Sequence, residues 1–183
     1  MPTRRDQILD TAATLFAERG FHGVSVNDIG AAVGISGPAI YKHFTGKDAL
    51  LAASLTSISE RHVAEAATRT AEHADPGAQL DALLAWHVSF ALEHPALIVV
   101  QEREWSNLDA AARASVRDLQ LTYIDAWVAV LRRLRDDLDP AQARAAVQAM
   151  FGLLNSTPHS ARISREAMRS LLTRMARGAL LAD

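Results

Sequence analysis

The stretch from Val24 to Phe44, VSVNDIGAAVGISGPAIYKHF, constrains this chain more than any other, because it reads as two short helices joined by a tight turn. Ser25 is a good N-cap, and Asp28 three residues later completes a capping box at the positive end of the helix. Val26, Ile29 and Val33 then recur at helical spacing until Gly34 supplies the left-handed residue that ends the first helix. Ser36 is expected to cap a second helix with Pro38 in its first turn, where a missing N–H costs little. That helix sends Ile40 and Phe44 inward and Tyr41, Lys42 and His43 outward. Helices joined by so short a turn cross steeply, as in a helix-turn-helix. Gly30 costs about 1 kcal/mol relative to Ala inside a helix, so the two backbones are expected to approach closely there. An αα corner in an ordinary helical core would use the same caps and glycine; the outward Tyr-Lys-His face distinguishes a DNA-binding one.

The rest of the chain reads as helices too, with no strand, repeat or low-complexity segment. Ile8, Ala12, Leu15 and Phe16 form the stripe of an amphipathic helix over 3–19, closed by Gly20. Phe21 is expected to pack back on its last turn. Lys47 to Glu72 lacks Pro and Gly and predicts one long helix with Leu51, Leu55, Ile58 and His62 on one stripe. Asp75-Pro76 starts another, carrying Leu80, Leu83, Leu84, Trp86, His87 and Phe90 up to His94-Pro95. An apolar run from Pro95 to Val100 leads to Trp105, and Asp109 caps a second long helix expected to reach Leu138. Asp139-Pro140 with Gln142 opens a helix with two faces. Ala143, Val147, Met150, Phe151 and Leu154 form one, and the small residues Ala141, Ala145, Ala149, Gly152 and Ser156 the other. A helix buried on both sides needs two neighbours, and either the chain's own core or a second copy of the chain would supply the second. A last helix, Ser164 to Leu181, offers Met168, Leu171, Leu172, Met175 and Ala179.

Composition narrows the function classes. Hydrophobic residues make up 49% of the chain and the formal charge is −2, which is globular and not disordered. Cys is absent, which excludes disulfides and thiolate metal sites and fits a reducing cytoplasm. The first residues lack an apolar signal core, and no apolar run approaches the roughly 18 residues of a membrane span. Within 1–50, Arg4, Arg5, Arg19, Lys42 and Lys47 are balanced by Asp6, Asp10, Glu18, Asp28 and Asp48. DNA binding there depends on placement, with Lys42, Lys47 and an Arg4-Arg5 arm on one face. HExxH, Gly-x-Ser-x-Gly, phosphate-loop and Glu-x-x-His patterns are all missing. Glu102 and Glu104 read as solvated or ion-paired, and His62, His87 and His94 lack ligand spacing. No catalytic residue, metal or cofactor is expected.

The order Ile29-Gly30, Val33-Gly34-Ile35, Ser36, Tyr41-Lys42-His43-Phe44, Lys47 and Asp48-Ala-Leu-Leu resembles the DNA-binding domain of the tetracycline-repressor (TetR) family of transcription regulators. Gly30 and Val33 stand where the family has Ala, and Pro38 where many members have Gly. The resemblance implies an all-α fold of about nine helices. A three-helix helix-turn-helix DNA-binding domain (1–46) precedes a larger helical ligand-binding and dimerisation domain (47–183). It further implies that Tyr41, Lys42 and His43 hold phosphates and that Gly37, Pro38 and Ala39 face base edges. Ser25, Ser36 and Lys47 add phosphate contacts at helix starts. Such small side chains favour thymine-methyl contacts and backbone positioning over direct hydrogen-bond readout.

Family members hold a small molecule among the helices of the second domain, which here brings forward Trp86, His87, Phe90, Trp105, Tyr123, Trp127, Phe151 and Asn155, with Gln120 near them. A pocket so apolar implies a hydrophobic or amphipathic effector. The carboxyl-terminal half is similar to members that sense acyl-coenzyme A. In the family the last two helices of each subunit pair into a four-helix dimer interface, matching Ala145, Ala149, Gly152, Ser156, Leu172 and Met175. The expected protein is a homodimeric cytoplasmic repressor, released from a palindromic double-stranded operator by its effector and without enzymatic activity. The alternatives are a helical carrier of apolar molecules that never binds DNA, and an enzyme with an unfamiliar helical site.

Overall fold

The computed structural model describes residues 3–182, and among them every regular element is a helix. In chain order these are α1 (Arg4–Arg19), α2 (Val26–Val33), α3 (Gly37–Ile40), α4 (Lys47–Ala71), α5 (Pro76–Glu93), α6 (Pro95–Arg103), a 3₁₀ turn (Trp105–Asn107), α7 (Ala110–Leu134), α8 (Pro140–Leu154), α9 (Thr157–Ser160) and α10 (Arg165–Leu181). The chain divides into two compact units. The first is Met1–Ile58 with Ala96–Arg117, and the second is Ser59–Pro95 with Asp118–Asp183.

In the first unit α1 is capped by a Thr3–Asp6 box and stopped by Gly20 at φ 73°. Its stripe of Ile8, Ala12, Leu15 and Phe16 is buried together with Ile29, Ile40, Phe44, Leu50, Leu51 and Leu55. The same core takes Val100, Leu108 and Val116, so α6, the 3₁₀ turn and the start of α7 complete it. Phe21 packs back on Phe16 as expected, ring centroids 5.4 Å apart.

The second unit is a bundle of α5, α8 and α10 with the second halves of α4 and α7. Its core joins Leu80, Leu83, Leu84, Trp127, Leu131, Val147, Leu154 and Leu172. Asp75, Asp139 and Ser164 cap α5, α8 and α10 through their side chains, as their spacing predicts. The second long helix ends at Leu134, short of Leu138. The Arg135 guanidinium turns onto Asp137, 2.7 Å away, and onto the Ala182 carbonyl past the end of α10, so the chain leaves the helix there.

Candidate nucleic-acid interface and effector site

The helix-turn-helix is built as its capping residues dictate. The Ser25 Oγ accepts the Asp28 N–H at 3.1 Å, while the Asp28 carboxylate accepts the Ser25 N–H at 2.8 Å and its hydroxyl at 2.6 Å. These bonds to Ser25 hold the Asp28 carboxyl below the usual carboxylate range. α2 ends at Gly34, whose φ of 75° is left-handed, and the Ile35 N–H returns to the Gly30 carbonyl at 2.9 Å. A Cβ on Gly30 would lie 2.9 Å from the Ile35 carbonyl oxygen and 3.3 Å from the Gly37 nitrogen, the close approach that the glycine predicts.

Ser36 stands at the N-cap of α3 with extended backbone, but its side chain makes no capping bond. α3 is a single turn. Beyond Ile40 the Lys42 and His43 N–H groups reach back three residues, to Ala39 and Ile40, so the segment tightens into 3₁₀ geometry. The tightening leaves Ile40 and Phe44 buried and Tyr41 56% exposed, with Lys42 and His43 beside it in solvent. Ser36 and Pro38 are exposed and Gly37 and Ala39 half-buried, so the small tip of the turn is open to a partner. The Arg5 guanidinium lies 5.4 Å from the Phe44 ring centroid, which brings one cation of the amino-terminal pair next to this face.

Two of the expected phosphate contacts have other work. The Ser25 hydroxyl donates to Asp28, so a phosphate there would compete with a carboxylate. The Lys47 ammonium donates to the Phe21 carbonyl at 2.8 Å and sits 4.4 Å from the Phe21 ring centroid, leaving its remaining N–H groups for a phosphate. Glu104, read from sequence as solvated, is 6% exposed and accepts the Phe21 N–H at 3.1 Å.

In the second unit the aromatic residues meet around His87. Its ring lies 4.7 Å from Phe151, 5.7 Å from Phe90, 5.9 Å from Tyr123 and 6.3 Å from Trp127. Its Nε2 is 3.1 Å from Asn155 Oδ1 and its Nδ1 3.2 Å from the Tyr123 hydroxyl. Because an amide oxygen only accepts, Nε2 carries the proton and Nδ1 accepts from Tyr123. Seven of the eight expected pocket residues are thereby gathered, Trp86 through His62. Trp105 is not among them; it packs against the core of the first unit.

His62 is the member that sequence reasoning left out. Its ring centroid lies 4.4 Å from Phe90, 4.9 Å from Tyr123 and 5.3 Å from His87, and its Nδ1 accepts the Trp86 indole N–H at 3.2 Å. Its place on the inward stripe of α4 was the available signal. Burial pushes His62 down to about 2, reinforced by His87, and burial pushes His87 down to about 4 against the opposing bond to Asn155. Both rings are neutral near pH 7, and burial raises the Tyr123 hydroxyl above its ordinary value. The rings at the centre of the cluster are thus apolar and uncharged, with the Arg61 and Arg69 guanidinium groups at its edge, 4.8 and 5.3 Å from the Trp86 ring centroid.

On α8 the small-residue face is open. Ala145, Ala149 and Gly152 are exposed and Ser156 half-buried, opposite the buried Ala143, Val147, Met150 and Leu154. Met175 of α10 is 48% exposed, whereas Leu172 is 2% exposed and belongs to the protomer's own core. Among the described residues no group of His, Asp and Glu is arranged to hold a metal ion. No single helix there is long and apolar enough to cross a membrane.

An exposed helix-turn-helix on its own unit, followed by a second helical unit with a buried aromatic cluster, defines a helix-turn-helix regulator. The comparisons agree. Residues 8–54 match the model of the bacterial regulatory proteins of the tetR family, and residues 73–159 match that of the tetracyclin repressor-like C-terminal domain. The HTH-type transcriptional repressor KstR2 of Rhodococcus jostii strain RHA1 is 31% identical over 144 residues, covering 74% of this chain and 70% of that protein. The structure of the ketosteroid transcriptional regulator KstR2 of Mycobacterium tuberculosis superposes with a TM-score of 0.79 at 20% identity, over 98% of this chain and 94% of that one. AibR in complex with isovaleryl coenzyme A and operator DNA gives 0.75 at 20% identity, over 94% and 97%. This chain belongs to the TetR family of transcription regulators.

Proposed function

We propose that the protein is a homodimeric repressor that leaves a palindromic operator when a hydrophobic or amphipathic effector enters the second unit. The observation that carries this is the uncharged aromatic cluster of His62, His87, Phe90, Tyr123, Trp127 and Phe151, supplied by four helices. Such an apolar lining suits an apolar body, as in an acyl chain. The relative solved with isovaleryl coenzyme A and operator DNA supports an acyl-coenzyme-A-like effector here. Residues 1–46 supply the DNA contacts in this reading, and 47–183 the effector and dimer contacts. Tyr41, Lys42, His43 and Ser36 hold phosphates, while Gly37, Pro38 and Ala39 approach the bases.

Dimerisation is supported by the exposed small-residue face of α8 and by the exposed Met175 of α10. Small side chains let a second copy approach closely. A two-fold dimer must hold its two α3 turns about 34–36 Å apart to enter successive major grooves. An effector releases DNA only through unequal affinity for the spacings with and without DNA. The effector in this reading is hydrophobic or amphipathic, and the protein acts in the cytoplasm as a binding protein with no reaction assigned to it. Family membership favours it over the carrier and enzyme alternatives. Titrating short- and medium-chain acyl-coenzyme A thioesters against the operator complex tests it. Lowered operator affinity with at least one thioester, and weaker thioester binding to the DNA-bound protein, is the expected result; equal thioester affinity with and without DNA would refute release.

A further inference from the structure

Phe21 is held from both sides of its peptide by side chains far away in sequence. Its N–H donates to Glu104 Oε1 at 3.1 Å, across 83 residues, and its carbonyl accepts from Lys47 Nζ at 2.8 Å. Glu104 is itself fixed. Its Oε2 accepts the Asn107 side-chain N–H at 2.7 Å, its own N–H bonds the Val100 carbonyl at 2.9 Å, and neighbouring Arg103 donates to the Ala17 carbonyl at 3.2 Å. A carboxylate 6% exposed is costly to bury unless its oxygens are bonded, and here neutral N–H donors bond both. The residue it grips closes the turn after α1. Gly20 precedes it with φ 73°, and the Gly23 N–H bonds the Gly20 carbonyl before Val24 leads into the α2 cap.

We infer that Glu104 is a positioning residue for DNA recognition: with Lys47 it fixes the Phe21 peptide, and so the turn from which α2 and α3 are presented to the duplex. Glu104 makes no contact with DNA in this account. It lies within the stretch matched by the C-terminal family model, yet it belongs to the unit that contains the helix-turn-helix. A turn left free to shift keeps its phosphate-binding cations but loses the registration that base readout needs. The variant is therefore expected to lose discrimination more than attraction.

The test uses the full chain, a duplex recovered by the wild type from random DNA, and a shuffled duplex of equal length. E104A is expected to weaken binding to the selected duplex about tenfold, the worth of one lost hydrogen bond near 1.4 kcal/mol, while binding to the shuffled duplex changes less than about twofold. E104Q is expected to restore discrimination, because its amide oxygen still accepts the Phe21 N–H and Asn107 can turn its own amide to match. N107A, which frees Glu104 while leaving it in place, is expected to lose discrimination in the same direction, and it keeps the test open if E104A does not fold. Faster hydrogen exchange at the Phe21 amide in E104A and N107A would locate the effect. Wild-type discrimination in E104A or N107A, or equal loss on both duplexes, would overturn the inference. The inference rests on α2 and α3 being the DNA-reading elements, and Y41A separates the two. Weakened binding in Y41A with unchanged E104A sinks the positioning role alone, whereas unchanged binding in both sinks the reading beneath it.

Discussion

Acid should destabilise the second unit through two histidines that cannot take up a proton where they sit. His62 and His87 titrate at about 2 and about 4 in the fold, against 6.5 for an ordinary histidine. Above pH 6.5 both states leave the rings neutral, so stability is fully present there. As pH falls below 6.5 the unfolded chain binds two protons that the folded chain refuses, and stability is lost progressively down through the folded values. At about pH 5 an unfolded histidine is almost wholly protonated and either folded ring almost wholly neutral. Each ring then costs about 2 kcal/mol, and the pair about 4 kcal/mol, relative to neutral pH. That figure does not depend on the folded values themselves so long as both lie well below 5. Urea denaturation between pH 7.5 and 5, followed by Trp fluorescence, measures it; Trp86 and Trp127 both report on this unit. The H62Q/H87Q variant removes the titrating groups and should lose about 4 kcal/mol less over the same interval. An identical acid dependence in the variant and the wild type would refute the assignment of two neutral buried rings.

Three further outcomes follow from the same geometry. Y41A and K42A should weaken binding to every duplex by similar factors, and K42A should reduce the salt dependence by about one counterion, as read from affinity against salt concentration. G34A should destabilise the helix-turn-helix by about 1–2 kcal/mol. A Cβ there would meet nothing within 4 Å, so the cost is that of the left-handed φ alone, and G34N should recover part of it in thermal unfolding. A149R places a cation on the exposed small-residue face of α8, away from the protomer's core; sedimentation should show monomers with unchanged helix content, and persistence of dimers would place the interface elsewhere.

Local chemistry made much of this fold legible. The Ser25–Asp28 box, Gly20, Gly34, Asp75-Pro76 and Asp139-Pro140-Ala-Gln each act within four residues, and the helix boundaries that they mark stand where the spacing puts them. Gly30 was legible for the same reason, since a costly residue in a helix points to something close by. Ser36 shows the limit: the residue type and place are right for a cap, yet the one-turn α3 forms without its side chain. Leu134 shows another, because α7 stops where Arg135 finds partners on Asp137 and on the far end of the chain.

Contacts between distant segments were not legible. Glu104 reads as a surface carboxylate because its burial depends on Phe21, 83 positions away, and Trp105 reads as a pocket aromatic because its neighbours in sequence do not show which core takes it. His62 was visible as a histidine on an inward stripe, but not as the ring that Tyr123, Phe90 and His87 surround. Leu172 carries the right character for a dimer contact and is spent on the protomer's own core.

Selection of bound duplexes from random DNA by the wild-type chain tests the central claim most directly. The expected product is a palindrome whose half-sites are centred about one helical turn, roughly 10 base pairs, or a multiple of it apart, lost from the protein on Y41A substitution. Recovery of no sequence above background, or of one asymmetric site bound equally by Y41A, would contradict it.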